Sequence, residues 1–573
     1  MPQSSEEAFA LAKETMAQTR FKLKDFQEEG VRWMLKRELE SKYQGGVLAD
    51  DPGLGKTIQT AGLLAGNPRQ RTLIVVPTSV IGQWVNTMSE IFGKDKIYLH
   101  YGSSKARTQL KLLEKLVNKT ICITSHGGVF TPSAKKGSLQ EMMEKDDPKK
   151  IQTVIHTVKW DRVVIDEAHV LRNKSTKIHK ACSMLNWSLN HMWGLTGTPI
   201  QNSEADMISL ALYIGIPLSI ATDHLEQFIN EYVIRRTKEI LIEKKEIDDY
   251  EVINHQVPFD TKEEQDVYEF IEKDAISEMV RMTEEIDDVS ALNMMYMELL
   301  LRLRQTVSHP AVVMEAFAKK YEDYDFETDF DVTRVSSKIN ALVNKVKNSS
   351  GYCLVFAHFR KEMKLVQKYL TATGIKSEIY DGSLSLKGRA EVINKFDDTP
   401  VKRRLMTVDG KRMCIESKPR VLLIQIKAGG VGLNLQQFPN VFILSPDWNP
   451  ANEIQAIARA HRLGQKEHVK VHKFTVVYND KFNGICEDVD NPENPQQCSS
   501  DSESESYDPI KPKSTVEERI LCVQKKKREL MVRMLNDETL QFNETLKLNG
   551  KIVNNKLSHQ DMKFLIGGGM GPE

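Results

Sequence analysis

Short apolar runs recur between residues 45 and 167, each bounded by turn-forming or charged residues. They are GGVLAD (45–50), TLIVVP (72–77), TICITS (120–125) and RVVIDE (162–167). Because these runs are apolar at nearly every position, they suit strands that are buried on both faces of a parallel sheet. The stretches between them are long enough for crossover helices. The pattern therefore predicts a doubly wound α/β lobe.

The same pattern returns in the second half of the chain. The runs are YCLVFAH (352–358), RVLLIQI (420–426) and NVFILSP (440–446), and they predict a second α/β lobe. Between the two sets, residues 203 to about 335 mix charged and apolar positions at helical spacing, which predicts helices. A further helix is predicted over 514–535.

Two acidic segments interrupt this pattern. Residues 322–331 carry six acids and no base, and residues 487–508 carry eight acids and no base. This composition indicates exposed linker or insert, and we expect the second segment to be disordered. The chain then divides into an N-terminal extension (1–20), a first lobe (21–240), a helical insertion with an acidic linker (241–335), a second lobe (336–485), an acidic insert (486–513) and a C-terminal helix and tail (514–573).

The net charge of the chain hides an uneven distribution. Its 79 basic and 79 acidic residues give a formal charge of zero. Without the two acidic segments, 79 basic residues face 65 acidic ones, a net of +14. A net positive charge outside the acidic segments, which we call the basic body of the chain, is typical of a protein that binds a phosphate backbone. We expect its affinity for nucleic acid to fall as the salt concentration rises.

Length and composition narrow the class of protein. The 573 residues predict several domains, and 40% apolar with 28% charged residues is ordinary for a globular protein. We expect no signal peptide and no membrane span, hence a cytosolic or nuclear protein with no membrane partner. The seven cysteines contain no CxxC pair, so no zinc module of the finger or RING type is expected.

The segment DDPGLGKT (50–57) has the context of a phosphate-binding loop, since it follows an apolar run and precedes a predicted helix. Its glycines let backbone N–H groups wrap phosphate oxygens, its lysine can reach the β and γ phosphates, and its threonine can bind Mg²⁺. Asp50 replaces the first glycine of the strict pattern, so a glycine turn with an incidental lysine is the alternative. The candidate residues are Asp51, Gly53, Leu54, Gly55, Lys56 and Thr57.

An acidic pair ends the strand predicted in VVIDEAH (163–169). Asp166 is the candidate Mg²⁺ ligand, and Glu167 is the candidate base that orients and deprotonates a water molecule. Such a pair can also be a solvated corner. A phosphate loop about 110 residues upstream on another buried strand favours the catalytic interpretation.

The second lobe offers cations for the same chemistry. In NEIQAIARAHRLGQ (452–465), Arg459 and Arg462 stand three residues apart, so on a helix they would share one face with Gln455. Guanidinium groups supplied by another lobe can stabilise charge on a transferred phosphoryl group, as arginine fingers do. The alternative is a solvated helix surface.

Taken together, the motifs resemble a known family. DDPGLGKT, VVIDEAH, GLTGTPIQN (194–202) and QAIARAHRLGQ resemble motifs I, II, III and VI of superfamily 2 helicases. Further segments resemble the Swi/Snf-related DNA-dependent ATPases and bring the match to most of residues 21–535: GGVLADD, VVPTSVIGQW (75–84), VIRRTK (233–238), LRLRQTVSHP (301–310), AGGVGLNL (428–435), DWNP (447–450), HRLGQ and TVEERI (515–520).

The resemblance implies roles for individual residues. Gln27 would recognise adenine, Gln455 would lie at the nucleotide, and Lys56, Glu167, Arg459 and Arg462 would be catalytic. Residues of the DNA path or of its coupling to the nucleotide would be Thr78, Ser79, Ser125, His169, Thr196, Thr198, Lys427, Gly429, Gly430 and Asn434. Contacts from hydroxyl and glycine N–H groups to phosphate position a backbone without distinguishing bases.

Three positions depart from the family pattern. Members of the family usually have Glu-Met where this chain has Asp51-Pro52, Gln where it has His358, and Ser where it has Gln425. The acid is kept at position 51, so the resemblance still implies a working nucleotide site. The other two departures bear on the DNA path.

The resemblance implies an enzyme with ATP and Mg²⁺ as cofactors, a double-stranded DNA translocase that remodels or displaces DNA-bound proteins in the nucleus. Nucleosomes, RNA polymerase and repair factors are the candidate partners. Two other interpretations are a DEAH-type helicase that unwinds RNA or DNA, and a scaffold of this fold that does not hydrolyse nucleotide.

Overall fold

Two α/β lobes and a layer of helices make up the described part of the chain. The computed structural model describes residues 4–101, 119–130, 154–174, 176–185, 187–199, 204–313, 334–384, 386–396, 403–408, 411–416, 418–426, 433–482, 513–535 and 559–567. Among these residues, no helix is long and apolar enough to cross a bilayer.

The first lobe contains a parallel sheet of seven strands in the order β3-β4-β2-β5-β6-β1-β7. The strands are β1 (Gly45–Leu48), β2 (Thr72–Val76), β3 (Ile97–His100), β4 (Ile121–Ser125), β5 (Trp160–Asp166), β6 (Trp187–Leu195) and β7 (Val233–Ile234). The four apolar runs of this region form β1, β2, β4 and β5, as the sequence predicts.

Helices cover both faces of this sheet. They are α1 (Ser5–Ala17), α2 (Asp25–Glu40), α3 (Lys56–Gly66), α4 (Ile81–Phe92), α5 (His126–Phe130), α6 (Lys177–Ser183), α7 (Glu204–Tyr213), α8 (Leu218–Asp223), α9 (Leu225–Tyr232) and α10 (Glu239–Glu243), with 3₁₀ turns at Thr78–Val80, Lys94–Lys96, Val154–Thr157 and Ala168–Leu171. Alternate strand residues enter two separate cores: Val47 and Leu73 face one, and Leu48 and Ile74 face the other. This alternation is what a doubly wound sheet requires.

The second lobe contains a six-stranded parallel sheet in the order β10-β13-β9-β14-β15-β8. Its strands are β8 (Glu251–Pro258), β9 (Cys353–Ala357), β10 (Ser377–Tyr380), β13 (Val421–Gln425), β14 (Asn440–Ile443) and β15 (Lys470–Val477). An antiparallel hairpin of β11 (Arg403–Val408) and β12 (Lys411–Glu416) stands apart from the sheet. The fold class of two doubly wound lobes is therefore confirmed.

The helices of the second half form the covering layers of this sheet and a separate apolar cluster. They are α11 (Lys262–Glu285), α12 (Val289–Ser308), α13 (Ser337–Asn348), α14 (Arg360–Ala372), α15 (Leu386–Asn394), α16 (Pro450–Ala460), α17 (Val516–Leu535) and α18 (His559–Ile566), with 3₁₀ turns at Pro310–Val312 and Asp480–Phe482. Tyr268 and Tyr296 of the insertion pack with Ile520 of α17 and Leu565 of α18 in one cluster. The insertion and the C-terminal helices therefore form one layer.

The expectation of helix throughout 203–335 is wrong at β8. This strand pairs in parallel with β15 over residues 251–258, so the chain has already entered the second sheet before the helical pair α11 and α12 begins. Its sequence, EVINHQVP, is mostly polar and exposed because β8 is an edge strand with one neighbour. The apolar run that signals a central strand is therefore missing.

Helix α17 is joined to the second lobe by buried polar contacts. The Glu517 carboxylate accepts a hydrogen bond from the backbone N–H of Val476 (3.0 Å) and from the ammonium of Lys338. Lys338 also donates to Ser445 Oγ (2.8 Å), and its side chain is fully buried. Breaking one partner of such a pair leaves a buried charge, which makes α17 an integral part of the lobe.

Candidate active site

The phosphate loop leaves β1 and ends where α3 begins at Lys56. Gly53 has φ +104° and Gly55 has φ +84°, a region that side chains disfavour. A Cβ atom on Gly55 would lie 2.4 Å from Gln27 Nε2, so a side chain there would displace Gln27 and would also be strained by the positive φ. The loop thus brings free backbone N–H groups to the start of a helix, the arrangement that binds phosphate oxygens.

Gln27 makes a hydrogen bond to the backbone of this loop. Its Oε1 accepts a hydrogen bond from the backbone N–H of Lys24 (3.1 Å), and its Nε2 donates to the carbonyl of Leu54 (3.0 Å). Both ends of the amide therefore have partners in the protein. The role of Gln27 in recognising adenine stays a prediction.

Lys56 lies over the first half of the loop. Its ammonium donates to the carbonyls of Asp50 (2.6 Å) and Asp51 (3.4 Å). Burial lowers the pKa of Lys56, while the negative charges of Glu167 and Asp50 act in the opposite direction. A lysine held among carboxylates and carbonyls is available to bind an incoming phosphate.

Asp50, where the strict loop pattern has glycine, is fully buried and holds Arg236. The Arg236 guanidinium donates to Asp50 Oδ1 (3.0 Å) and Oδ2 (2.6 Å), and its backbone N–H donates to Oδ1 (3.1 Å). Gln59 completes the set by donating to Oδ2 (2.8 Å). Asp50, the residue that departs from the strict pattern, therefore forms a buried ion pair with Arg236 that fixes the start of the loop.

Residues 235–238 form a second wall of the nucleotide site, which the sequence did not reveal. Backbone bonds join Ala49 N to Ile234 O (2.7 Å) and Asp51 N to Arg236 O (3.0 Å). The Arg235 guanidinium pairs with Asp51 Oδ1 (3.2 Å), and the backbone N–H of Lys238 donates to Asp51 Oδ2 (3.3 Å). The only signal in the sequence was the RRTK segment itself, whose partners lie about 185 residues away.

The carboxylates of Asp166 and Glu167 follow β5 directly. Trp84 Nε1 donates to Asp166 Oδ2 (2.8 Å), and the backbone N–H of Glu167 donates to Asp166 Oδ1 (3.0 Å). Glu167 has φ +52° and ψ +49°, a left-handed conformation that is uncommon for a residue other than glycine. Such backbone strain collects at functional sites, because only the surrounding structure can maintain it.

The environment shifts the pKa values of the two acids in opposite directions. Burial and the adjacent charge of Glu167 raise the pKa of Asp166 to about 6. Burial opposes the ionisation of Glu167, but the hydrogen bond from His169 and the charges of Lys56 and Arg459 lower its pKa to about 2. His169 Nδ1 lies 3.2 Å from Glu167 Oε2. Glu167 is therefore an ionised acceptor at neutral pH.

The donor set fits magnesium. Asp166 offers a carboxylate whose orientation is fixed by Trp84, and Thr57 offers a hydroxyl in the first turn of α3. Oxygen ligands of this type are what Mg²⁺ prefers, with phosphate oxygens and water supplying the remainder. Among the described residues, no group of three or more His, Cys, Asp or Glu side chains forms a metal site.

The TGT segment (196–198) touches the phosphate loop and the second lobe. A Cβ atom on Gly197 would lie 2.7 Å from Pro52 Cγ, so the proline that departs from the family pattern packs directly on this glycine. Thr198 accepts a hydrogen bond from Gln455 Nε2 (3.3 Å) in α16. Thr196 Oγ1 lies 3.4 Å from His169 Nδ1. The segment therefore connects the acidic pair, the loop and the second lobe.

Arg459 and Arg462 both reach the cleft, but the prediction that they share one helix is wrong. Helix α16 ends at Ala460, and Arg462 lies in the following loop. Arg459 is buried near the carboxylates of Glu167 and Asp166; burial lowers its pKa and those two charges oppose the shift. Arg462 Cβ lies 3.4 Å from the position that a Cβ atom on Gly53 would take. Two separate elements thus present the two arginines.

The predicted DNA-path residues of the first lobe lie at or just after the carboxyl ends of parallel strands, which meet at one edge of the sheet. Thr78 and Ser79 follow β2, and Ser125 ends β4, where its Oγ accepts a hydrogen bond from Gly128 N (3.0 Å). Asn434 follows β13, and its Nδ2 lies 3.5 Å from Gln436 Oε1. Lys427, Gly429 and Gly430 lie outside the described residues.

The two other departures from the family pattern contact each other at the same edge of the second sheet. Gln425 Nε2 donates to the carbonyl of His358 (3.2 Å). The His358 ring lies 3.2 Å from the carbonyl of Ser445 and 3.7 Å from the Asp447 carboxylate. The change at one position is therefore structurally linked to the change at the other.

Two protein-family models match the chain, one in each lobe. Residues 26–222 match the model of the SNF2-related domain, and residues 337–464 match that of the helicase conserved C-terminal domain. Together the two matches cover more than half of the chain. The chain belongs to the SNF2-related family. The sequence-based prediction of a helicase-related ATPase is thereby confirmed at the level of the family.

Curated relatives come from a virus, a plant and a bacterium. The chain is 28% identical to the Probable global transactivator of Orgyia pseudotsugata multicapsid polyhedrosis virus, over 79% of this chain and 86% of the relative. It is 26% identical to the Probable ATP-dependent DNA helicase CHR12 of Arabidopsis thaliana and 27% identical to the Putative ATP-dependent helicase/translocase YwqA of Bacillus subtilis. These matches cover 78% and 79% of this chain but only 39% and 46% of the relatives, so it spans less than half of their length.

A solved SNF2-related structure covers most of the chain. It is the Sulfolobus solfataricus SWI2/SNF2 ATPase core in complex with dsDNA, at 21% identity over 90% of this chain and 94% of that one. The TM-score is 0.34, which is too low to compare the placement of the two lobes.

Proposed function

We propose that this SNF2-related chain hydrolyses ATP when double-stranded DNA is bound, and that hydrolysis moves it along the duplex to remodel or displace bound proteins. The observation that carries the proposal is the convergence of Lys56 and Glu167 from the first lobe with Arg459 and Arg462 from the second. A nucleotide in this cleft would be enclosed by both lobes. The family membership and the basic body of the chain support the same conclusion.

The residues divide the chemistry among them. The loop N–H groups and Lys56 bind the β and γ phosphates, and Asp166 with Thr57 would hold Mg²⁺, which neutralises charge on the phosphate oxygens. Glu167 orients the water whose oxygen bonds to the γ phosphorus as the bond to the β,γ-bridging oxygen breaks. The proton of that water passes to Glu167. ADP and phosphate are the products.

The arginines make hydrolysis depend on the position of the second lobe. Negative charge spreads over the transferred phosphoryl group in the transition state, and guanidinium groups of Arg459 and Arg462 stabilise it there. DNA lying across the strand ends of both lobes would favour the closed arrangement. This dependence is the physical basis for expecting little turnover without DNA.

The test compares Glu167→Gln with the wild type and with Glu243→Gln, a control on an exposed glutamate of α10. We expect Glu167→Gln to lower DNA-stimulated turnover by roughly 10²–10⁴-fold while ATP affinity is retained, because the amide fills the same space but accepts no proton. Lys56→Ala should lose both turnover and affinity. Wild-type hydrolysis in Glu167→Gln would refute the role of the base.

Three nucleic acids distinguish the substrate. Turnover is measured with duplex DNA, single-stranded DNA and RNA, and ATP-dependent displacement of a third strand from a DNA triplex reports movement along the duplex. Strong stimulation by RNA alone would overturn the proposal. Separation of the two strands of a plain duplex would instead favour the helicase interpretation. Nucleosomes, RNA polymerase and repair factors as the displaced proteins, and a nuclear location, stay predictions.

A further inference from the structure

Lys238 joins the phosphate loop to the second lobe. Its backbone N–H donates to Asp51 Oδ2 (3.3 Å), while its ammonium donates to the carbonyl of His461 (2.6 Å). Its Cε lies 3.6 Å from the position a Cβ on Gly53 would take. One side chain therefore spans the cleft directly above the glycines that are to bind phosphate.

The lysine contacts the turn that carries both arginines. His461 directly follows the last residue of α16, two positions after Arg459 and one before Arg462. Carbonyls at the end of a helix carry partial negative charge and bind cations favourably. The ring of His461 is fixed as well, since its Nε2 lies 2.7 Å from the carbonyl of Asp248 and so donates to it. Its Nδ1 is then an acceptor 3.4 Å from the Lys238 ammonium.

Lys238 and Arg462 lie side by side over the loop. The two atoms nearest to the position that a Cβ on Gly53 would take are Arg462 Cβ at 3.4 Å and Lys238 Cε at 3.6 Å. We propose that Lys238 is a positioning residue, whose ammonium holds the 459–462 segment against the phosphate loop so that Arg459 and Arg462 reach the transferred phosphoryl group. This inference rests on the proposed ATPase function and adds to it a residue that acts through the arginines.

The charges around Lys238 agree with such a role. Burial lowers the pKa of Lys238 to about 7; the neighbouring cations Arg459, Arg462 and Lys56 add to the shift, and Asp51 opposes it. The negative phosphates of a nucleotide would favour the charged lysine. Binding of ATP would then strengthen the same hydrogen bond that positions the arginines.

A double-mutant cycle tests the inference. The variants are Lys238→Ala, Lys238→Arg, Arg462→Ala and the double variant Lys238→Ala with Arg462→Ala. Lys244→Ala is the matched control, because Lys244 is an exposed lysine of the same connection that pairs only at the surface with Asp25. Turnover at saturating duplex DNA is measured for each, and the ATP dissociation constant is measured with the hydrolysis-deficient Glu167→Gln change added.

Removal of a charge-assisted hydrogen bond should lower kcat by about 10-fold or more in Lys238→Ala, with the ATP dissociation constant changed by less than about 3-fold. Lys238→Arg should recover most of the turnover. In the Arg462→Ala background, the Lys238→Ala change should lower kcat by a smaller factor than in the wild type, because only Arg459 is then left to position.

Three results would overturn the inference: an unchanged kcat in Lys238→Ala, effects of the two changes that multiply, or a loss explained by weaker ATP binding. The last would make Lys238 a direct phosphate ligand. Failure of the proposed function gives a different result, a wild type without DNA-stimulated turnover. The same double-mutant cycle would then be carried out by measuring ATP turnover in the absence of DNA.

Discussion

Asp50→Gly restores the strict phosphate-loop pattern, yet we expect it to destabilise the first lobe. Asp50 does not have the positive φ that would require glycine, and its side chain is fully buried. The change removes both carboxylate contacts of the Arg236 guanidinium (3.0 and 2.6 Å). A buried cation would lose its buried charged partner and keep only the exposed carboxylate of Glu29 at 3.8 Å.

The expected loss in the free energy of unfolding depends on which hydrogen bonds Arg236 keeps after the change. Removing one partner of a buried ion pair costs about 3–5 kcal/mol. Arg236 still donates to the carbonyl of Phe26 and to Gln59 Oε1 (2.7 Å), which places the cost near the lower end. Glycine adds about 0.5–1 kcal/mol through its greater freedom in the unfolded chain. We therefore expect a loss of about 3–4 kcal/mol.

Tryptophan fluorescence during urea unfolding measures this loss. Five of the six tryptophans lie between residues 33 and 193, so the signal reports the first lobe. Asp249→Gly, at an exposed aspartate, is the control and should change stability by less than about 1 kcal/mol. Replacing both partners, Asp50→Leu with Arg236→Met, should cost less than Asp50→Gly alone. A stability of Asp50→Gly within about 1 kcal/mol of wild type would refute the reasoning.

Three further changes have expected outcomes. His309 accepts a hydrogen bond at Nδ1, and burial lowers its pKa to about 4. The stability that the neutral ring contributes is therefore complete above about pH 6.5 and is lost as the pH falls toward 4. His309→Gln should flatten the dependence of the melting temperature on pH over this range. Trp84→Phe removes the donor to Asp166 and should raise the Mg²⁺ concentration needed for half-maximal turnover by severalfold. Gly197→Ala places a methyl group against Pro52 and should lower turnover by about 10-fold or more, with the fold retained by circular dichroism.

Controls for these changes come from the same lobes. His224→Gln alters an exposed histidine and should leave the pH dependence unchanged. Trp33→Phe alters a tryptophan that packs on Trp193, whereas the donor to Asp166 is Trp84, so this change should leave the Mg²⁺ requirement as it is. Gly82→Ala adds a methyl group in α4 where nothing lies within 4 Å. If a control behaved like its partner variant, the corresponding argument would fail.

Seven inner strands (β1, β2, β4, β5, β9, β13 and β14) could be predicted from the sequence because burial on both faces favours continuous apolar residues. The inner strands β6 and β15 were missed, because polar residues such as Asn190 and Lys473 interrupt their apolar runs. β8 could not be predicted, since an edge strand keeps polar residues such as Asn254 and Gln256 on exposed positions. The motifs around Lys56 and Glu167 were recognisable because loop and strand-end chemistry is local. The fold and the candidate reacting groups were thus accessible from local patterns.

The supporting contacts of the site were not accessible in this way. Arg236 and Asp50 are separated by 186 positions, and no periodicity connects them. The end of α16 was misjudged for a similar reason: contacts made by His461 with Lys238 and Asp248, both distant in sequence, accompany the break before Arg462. Spacing along a helix cannot reveal where tertiary bonds replace helical ones.

The early placement of β8 determines where the two lobes are joined. All strands of the first sheet lie before residue 235 and all strands of the second lie after residue 250, so the connection runs beside the phosphate loop. Under the proposed function, a rotation of about 10° about this connection, at a radius of about 20 Å typical of a lobe, would move the far strand ends by about the 3.4 Å rise of one base pair. The nucleotide site would then lie beside the axis of that rotation, and a step of one base pair would require only a small angular change there.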